Sequence, residues 1–353
     1  MKDKILDALR NVDDPDLHKD IVSLGMVQDL EINNNKVTFS LVLTTPACPM
    51  KDMIRNACIN AIHHLVNKDL EVDITFGSKV ASGQRNREEL PGIKNIIAVA
   101  SGKGGVGKST VATNLAIALG KSGAKVGILD ADIYGPSLPL MMGIRGLRPE
   151  VEDKGETVTI FPFDKYGIKA MSIGCLLDEN QALLWRGPMI SSALKQLLVD
   201  VAWGELDYLV VDLPPGTGDI HMTLAQQFPL SGVVMVTTPQ QVSLADTKKS
   251  IEMFSHKALN IPILGIVENM SYFTPKELPD HKYRIFGEGG GMELSELYNI
   301  PLLAQIPIIG TLAADSDLGL PAVLNEDILF SGPFNEMAEK VAQQLAILNS
   351  TLV

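Results

Sequence analysis

Ser101-Gly102-Lys103-Gly104-Gly105-Val106-Gly107-Lys108-Ser109-Thr110 constrains this chain more than any other stretch. From Gly102 to Ser109 it satisfies the phosphate-loop pattern G-x-x-x-x-G-K-[ST]. An apolar run, Asn95-Ile-Ile-Ala-Val-Ala-Ser101, leads into it and reads as a buried parallel strand. A helical pattern, Thr110 to Leu119, leaves it and is expected to stop at Gly120 and Gly123. Strand, glycine loop, helix is the context in which the motif has a mechanism. The glycines let backbone N–H groups turn inward around phosphate oxygens, and the helix N-terminus adds partial positive charge. Residues Gly102, Lys103, Gly104, Gly105, Val106, Gly107, Lys108, Ser109 and Thr110 therefore form the expected nucleotide cradle. Lys108 is expected to reach the β- and γ-phosphates, and Ser109 to hold Mg²⁺.

From Asn95 onward, strands and helices alternate, which is the signature of an α/β, doubly wound, mostly parallel sheet. Lys125-Val-Gly-Ile-Leu-Asp130 is the next strand and runs into Asp130-Ala-Asp132-Ile-Tyr-Gly-Pro-Ser137. Carboxylates at the carboxyl end of a parallel strand sit where such sheets bind ligands. A second buried strand, Asp207-Tyr-Leu-Val-Val-Asp212, ends at the expected Mg²⁺ carboxylate and is followed by Leu-Pro-Pro-Gly216-Thr217-Gly218-Asp219. Ser231–Pro239, Ile263–Met270 and Ile306–Ile309 read as further strands. The loop Gly310–Asp317 is expected to close over the base, and Pro333–Leu348 to cover the sheet as an amphipathic helix.

Ahead of this lies a small α+β domain, expected over 1–80, with a polar linker over 81–94 and the nucleotide domain over 95–353. Met1–Asn11 reads as a helix, Ile21–Val27 and Gln28–Ile32 as extended, Asn33–Asn35 as a hairpin turn, Lys36–Leu43 as a strand, Met50–Val66 as a helix and Leu70–Phe76 as a strand. Pro49 suits the first helical position and would put Cys48 at or beside the N-cap, where the helix field lowers a thiol's pKa. The plainer alternative is a small, partly buried turn residue. Cys58 and Cys175 read as packing residues.

Bulk properties narrow the classes. The chain has 353 residues, enough for two domains, and a formal net charge of −12, which opposes nucleic-acid and anionic-membrane binding. Three cysteines are too few for a disulfide scaffold. With no signal-peptide pattern or membrane-length apolar run, a cytoplasmic protein is expected.

Lys103 is not required by the phosphate-loop pattern, and the form K-G-G-V-G-K-S-T resembles the deviant loop of the ParA/MinD/nitrogenase-iron-protein class. That resemblance implies a homodimer in which Lys103 reaches the partner's nucleotide. It further implies that Asp132 orients the attacking water and contacts the Mg²⁺ shell, with Asp130 in support. Lys103, Lys108 and Asp132 are then the catalytic set, Ser109, Asp132 and Asp212 the Mg²⁺ set, Gly216 a donor to the γ-phosphate, and Asn269 the reader of adenine. The pattern D-P-D-L…G-M-V…T-T-P-A-C-P over residues 5–77 resembles the iron–sulfur assembly domain. The whole chain resembles the Mrp/ApbC-type iron–sulfur cluster carriers, which implies ATP hydrolysis, iron–sulfur client or scaffold partners and a [4Fe–4S] cargo.

One feature departs from that family. A C-x-x-C pair normally follows N-M-S-Y-F and precedes I-F-G, and two pairs across a dimer bridge one cluster. Here Asn269 to Gly287 contains no cysteine. Cys48 is left as the candidate cluster ligand; Glu277, Asp280 and His281 read as a charged surface loop. The other function consistent with the residues is a ParA/MinD-like nucleotide-switched scaffold without iron.

Overall fold

The computed structural model describes residues 1–83, 90, 92–155, 158–176, 187–217, 221, 225, 229–275 and 277–351. The chain divides into two compact units, Met1–Ala81 together with Ala342–Val353, and Ser82–Val341. The Trp185-Arg186 pair and the Gly218-Asp219 end of the second acidic turn lie outside the described residues.

In the first unit, helix α1 (Lys2–Leu9) is followed by two short paired strands, β1 (Asp13–Asp14) and β2 (Lys19–Asp20). Strands β3 (Val27–Asn33) and β4 (Lys36–Leu43) then form an antiparallel hairpin, with Asn34 left-handed at its turn. Helix α2 (Lys51–Leu65) carries the chain across to β5 (Glu71–Ser78), which pairs parallel to β4. In β4, Val37, Phe39, Leu41 and Leu43 are buried and their neighbours are not. That period of two turns one face onto Ile5 and Leu9 of α1 and Ile54, Cys58 and Ile62 of α2. The expected extension at Ile21–Val27 is wrong in its first half. Residues 21–25 turn, with Leu24 N–H donating to the Asp20 carbonyl and Gly25 N–H to that of Val22, and only Val27 onward pairs. The end of the last helix belongs to this unit, where Gln343 Nε2 donates to Asp16 Oδ1 at 2.5 Å.

The second unit contains an eight-stranded sheet. Its strands are β6 (Ile93–Ala100), β7 (Val126–Asp130), β10 (Phe163–Lys165), β11 (Ile168–Ser172), β12 (Leu206–Asp212), β13 (Gly232–Thr237), β14 (Ile263–Glu268) and β15 (Leu302–Gln305). The order is β10-β11-β7-β12-β6-β13-β14-β15, parallel throughout except the β10–β11 edge. A separate ribbon pairs β8 (Val151–Asp153) with β9 (Val158–Ile160). Every residue of β7 and β13 is buried, as in parallel strands covered on both faces. Among the described residues, the helices of this unit are α3 (Lys108–Lys121), α4 (Leu138–Met141), α5 (Gly187–Val199), α6 (Gln241–Ser255), α7 (Gly290–Tyr298), α8 (Leu312–Asp317) and α9 (Ile328–Ser350), whose end belongs to the first unit.

Two boundaries differ from expectation. Gly120 lies inside α3, because a Cβ there would come within 2.6 Å of Ile168 on β11; Gly123, at φ +100°, is the left-handed residue beyond the helix. The last strand is Leu302–Gln305 rather than Ile306–Ile309; beyond it Ile306 N–H still donates to the Glu268 carbonyl (2.9 Å) and Ile308 N–H to that of Tyr272 (2.6 Å), as isolated bonds past the ladder. The stretch expected to be a base-covering loop, Gly310–Asp317, is mostly the short helix α8.

Candidate nucleotide-binding site

Strand β6 ends at Ala100, residues 101–107 loop, and α3 begins at Lys108 behind a left-handed Gly107 (φ +83°). Close approaches make two of the glycines obligatory. A Cβ on Gly102 would stand 2.2 Å from the Asp246 carbonyl carbon of α6, and one on Gly107 would collide with Asn269 Nδ2. The loop wraps a cavity of about 200 Å³ lined by Ser101, Lys103, Gly104, Gly105, Gly107, Lys108, Ser109 and Thr110 on one side and Asp132, Ser137, Met141 and Pro215 on the other. This is smaller than the roughly 300–1,000 Å³ of a whole-ligand pocket, and suits the phosphate end of a nucleotide.

Sheet register creates the acidic wall. Ser172, Asp130 and Asp212 end three neighbouring parallel strands and pair with one another in register. Asp212 is 1% exposed; its Oδ1 accepts from Lys108 Nζ at 2.5 Å, a buried ion pair, and Lys108 Nζ also lies 3.3 Å from Ser109 Oγ. Burial pushes the Asp212 carboxyl up, while Lys108 and a hydrogen bond from Ser109 pull it down. Asp212 Oδ2 is buried without a hydrogen-bond partner among the described residues. A buried carboxylate oxygen left open beside a serine hydroxyl is a donor set that fits a hard cation such as Mg²⁺. Lys108, expected to point to phosphate, lines the cavity and pairs with Asp212.

Asp130, expected to support the site or to coordinate through water, is hydrogen-bonded at both carboxylate oxygens. Its Oδ1 accepts from Asp132 N–H (3.0 Å), and its Oδ2 from Leu138 N–H (3.2 Å) and Ser172 Oγ (3.0 Å). Both oxygens are therefore occupied in clipping the two ends of the 130–138 loop, which presents Asp132 and Ser137 to the cavity. Burial, with Asp212 adding to it, raises the Asp130 pKa from its ordinary 3.8 to about 7. Between those values the folded chain binds the proton more tightly than the unfolded chain, so stability falls as pH rises through that window. Asp130→Asn should remove that slope from urea-unfolding free energies measured between pH 4 and 8; an unchanged slope would place its origin elsewhere.

Two expected nucleotide contacts are differently engaged. Asn269 is buried and one N–H of its Nδ2 donates to the Val106 carbonyl (2.8 Å), bracing the loop. Gly216, at φ +107°, gives its N–H to the Ser101 carbonyl (2.9 Å) and not to the cavity. Both bonds tie a segment that follows a strand of the sheet, β14 for Asn269 and β12 for Gly216, to the phosphate loop. Lys103 is exposed and makes no ion pair among the described residues. Ser137, Met141 and Pro215 were missed by sequence reasoning; the signal for Ser137 was its place in the acidic turn, five residues after Asp132.

Cys48 does not sit at the helix N-cap. That position is Met50, and Cys48 is half-buried against the core of its unit. Among the described residues no group of three or more His, Cys, Asp or Glu side chains is placed to hold a metal, and Glu277, Asp280 and His281 form none. No helix among the described residues is long and apolar enough to cross a membrane.

Comparison with known proteins assigns both parts of the chain to families. The family model described as NUBPL iron-transfer P-loop NTPase, of the ParA type, matches residues 92–345, and that of the iron–sulfur cluster assembly protein matches residues 2–74. An iron–sulfur cluster carrier protein of Synechocystis is 46% identical over 92% of this chain and 92% of its own, and one of Deinococcus radiodurans is 43% identical over 98% and 96%. The structure of a nucleotide-binding protein from Archaeoglobus fulgidus in complex with ADP is 43% identical and aligns with a TM-score of 0.58 over 66% of this chain and 89% of that one. The cell-division ATPase MinD of Pyrococcus furiosus is 26% identical, with a TM-score of 0.52 over 70% and 98%. A deviant phosphate loop, an open buried carboxylate and a parallel sheet of this order thus coincide with family matches to both parts of the chain, which belongs to the iron-transfer P-loop NTPases of the ParA type.

Proposed function

We propose that the chain is an iron–sulfur cluster carrier, driven by Mg²⁺-dependent ATP hydrolysis in the cytoplasm as a homodimer, that delivers clusters to client proteins. The observation that carries the nucleotide half is the buried Lys108–Asp212 pair, in which Lys108 lines the phosphate-loop cavity and one Asp212 oxygen has no partner among the described residues. The cargo half rests on carrier relatives matched over nearly the whole chain. In this reading Asp132 orients water from the wall facing Ser109, and Mg²⁺ bound by Ser109 and Asp212 offsets phosphate charge. Gly216 exchanges its bond to Ser101 for the γ-phosphate, which couples the turn after β12 to hydrolysis. Adenine reading by Asn269 would use what its bond to Val106 leaves over, the amide oxygen and the second N–H.

The Lys103 ammonium is exposed and makes no ion pair among the described residues, as a group that serves a second copy would. Lys103→Ala should lower ATP turnover at least about tenfold, the scale of a lost charge contact of 1.4 kcal/mol or more in the transition state, while the melting temperature stays unchanged. Turnover equal to wild type would remove the cross-subunit role. Absence of ATPase activity in the wild type itself would overturn the enzymatic reading.

A further inference from the structure

A cluster of the [4Fe–4S] kind takes four thiolate ligands, and thiolates rather than thiols bind iron. The chain has three cysteines. Cys58 is fully buried on α2, packed in the core of the first unit with Ile54 and Ile62, and burial pushes its thiol up to about 12. Cys175 is 4% exposed in a 3₁₀ turn after β11, and burial pushes its thiol up to about 11. Neither can ligate iron without opening a core. Cys48 is half-buried, so one chain offers at most one thiol and two copies offer two. The loop where the family's cysteines are expected is a closed structure of other chemistry. Phe273 and Tyr283 exchange backbone hydrogen bonds at 2.8 Å in both directions, and the Lys282 ammonium lies 4.4 Å over the Tyr272 ring. No alternative group of His, Cys, Asp and Glu exists among the described residues. The donor set of this chain does not fit a resident cluster.

We infer that the thiolates holding the cargo come from outside the chain, from a cysteine-bearing polypeptide or a small thiol, and that this protein works on a cluster its partner keeps ligated. The inference rests on the carrier reading above and changes its chemistry. Transfer becomes ligand exchange: each iron–thiolate bond broken on one partner is replaced by one on the next, and no electron or oxidant is consumed. The nucleotide cycle then governs assembly and release of the partners.

The test is anaerobic reconstitution of the full-length chain with ferrous iron and sulfide, followed by desalting and measurement of iron per chain and of the visible charge-transfer absorption. Three arms are run: no added thiol, glutathione, and a Cys-Gly-Gly-Cys peptide. Near-complete loss of iron without thiol, with retention in an added-thiol arm above a protein-free control, supports the inference. Retention with the peptide alone assigns the thiolates to a polypeptide, and retention with glutathione shows that a small thiol suffices. A full cluster per chain or per pair of chains retained without added thiol overturns the inference and leaves the carrier reading standing. Loss of iron in all three arms overturns both, while ATP turnover, measured in parallel, is untouched by that result.

Discussion

Lys108→Ala should abolish ATP turnover and also destabilise the folded chain by about 3–5 kcal/mol, the usual cost of removing one partner from a buried ion pair. The two effects share a cause. Lys108 and Asp212 are 6% and 1% exposed, so the alanine variant leaves a carboxylate in the interior with its counter-charge gone and Asp130 as its neighbour. The structure thereby separates stability from activity. Lys108→Ala combined with Asp212→Ala removes both charges and should recover much of the lost melting temperature, yet no turnover. Chemical denaturation and an ATPase assay on the wild type and the two variants check this. A single variant as stable as wild type would mean the pair is solvated, and undiminished turnover would sink the site.

Gly102→Ala should be the most damaging single methyl group in the phosphate loop. The new Cβ would meet the Asp246 carbonyl carbon at 2.2 Å, its oxygen at 2.3 Å and the Thr247 nitrogen at 2.6 Å. These are backbone atoms of α6, and no rotamer relieves the clash, so the loop or the helix must move. Overpacking costs about 1–3 kcal/mol or more, and displacement of the cradle should weaken nucleotide binding at least about tenfold. Gly104→Ala is the control, since a Cβ there meets only Pro215, at 3.9 Å, and the fold should keep its melting temperature. Calorimetric titration with ADP and thermal melts of both variants decide the matter. Equal melting temperatures would show that α6 does not press on the loop.

Much of the nucleotide site was legible because its signals are local. The glycine loop needs particular backbone angles, and Gly105 and Gly107 do take left-handed values of +82° and +83°. Lys108, Ser109 and Thr110 follow in the same turn and reach the cavity. Asp212 was found because a wholly apolar run ending in a carboxylate has little meaning except at the mouth of a parallel sheet. The roles of Asp130, Gly216 and Asn269 were less legible, since each is decided by a partner distant in sequence. Asn269 is 163 positions from Val106, and Ser172 is 42 from Asp130. Cys48 was placed one turn of reasoning too far: Pro49 suits a first helical position, but the chain turns through Pro49 and Met50 before α2 begins.

By itself the sequence determined the α/β class, the phosphate loop and the ends of the strands that carry charge, because dihedral demands and hydrophobic periodicity act over a few residues. Only the tertiary structure decided how those ends are used. Strand register set Ser172, Asp130 and Asp212 in one row, so that burial and like charge made Asp130 a clip and left one oxygen of Asp212 open. Packing likewise fixes the chemistry of the cysteines: Cys58 and Cys175, read from the sequence as packing residues, lie in interiors that withhold the water and charge a thiolate needs.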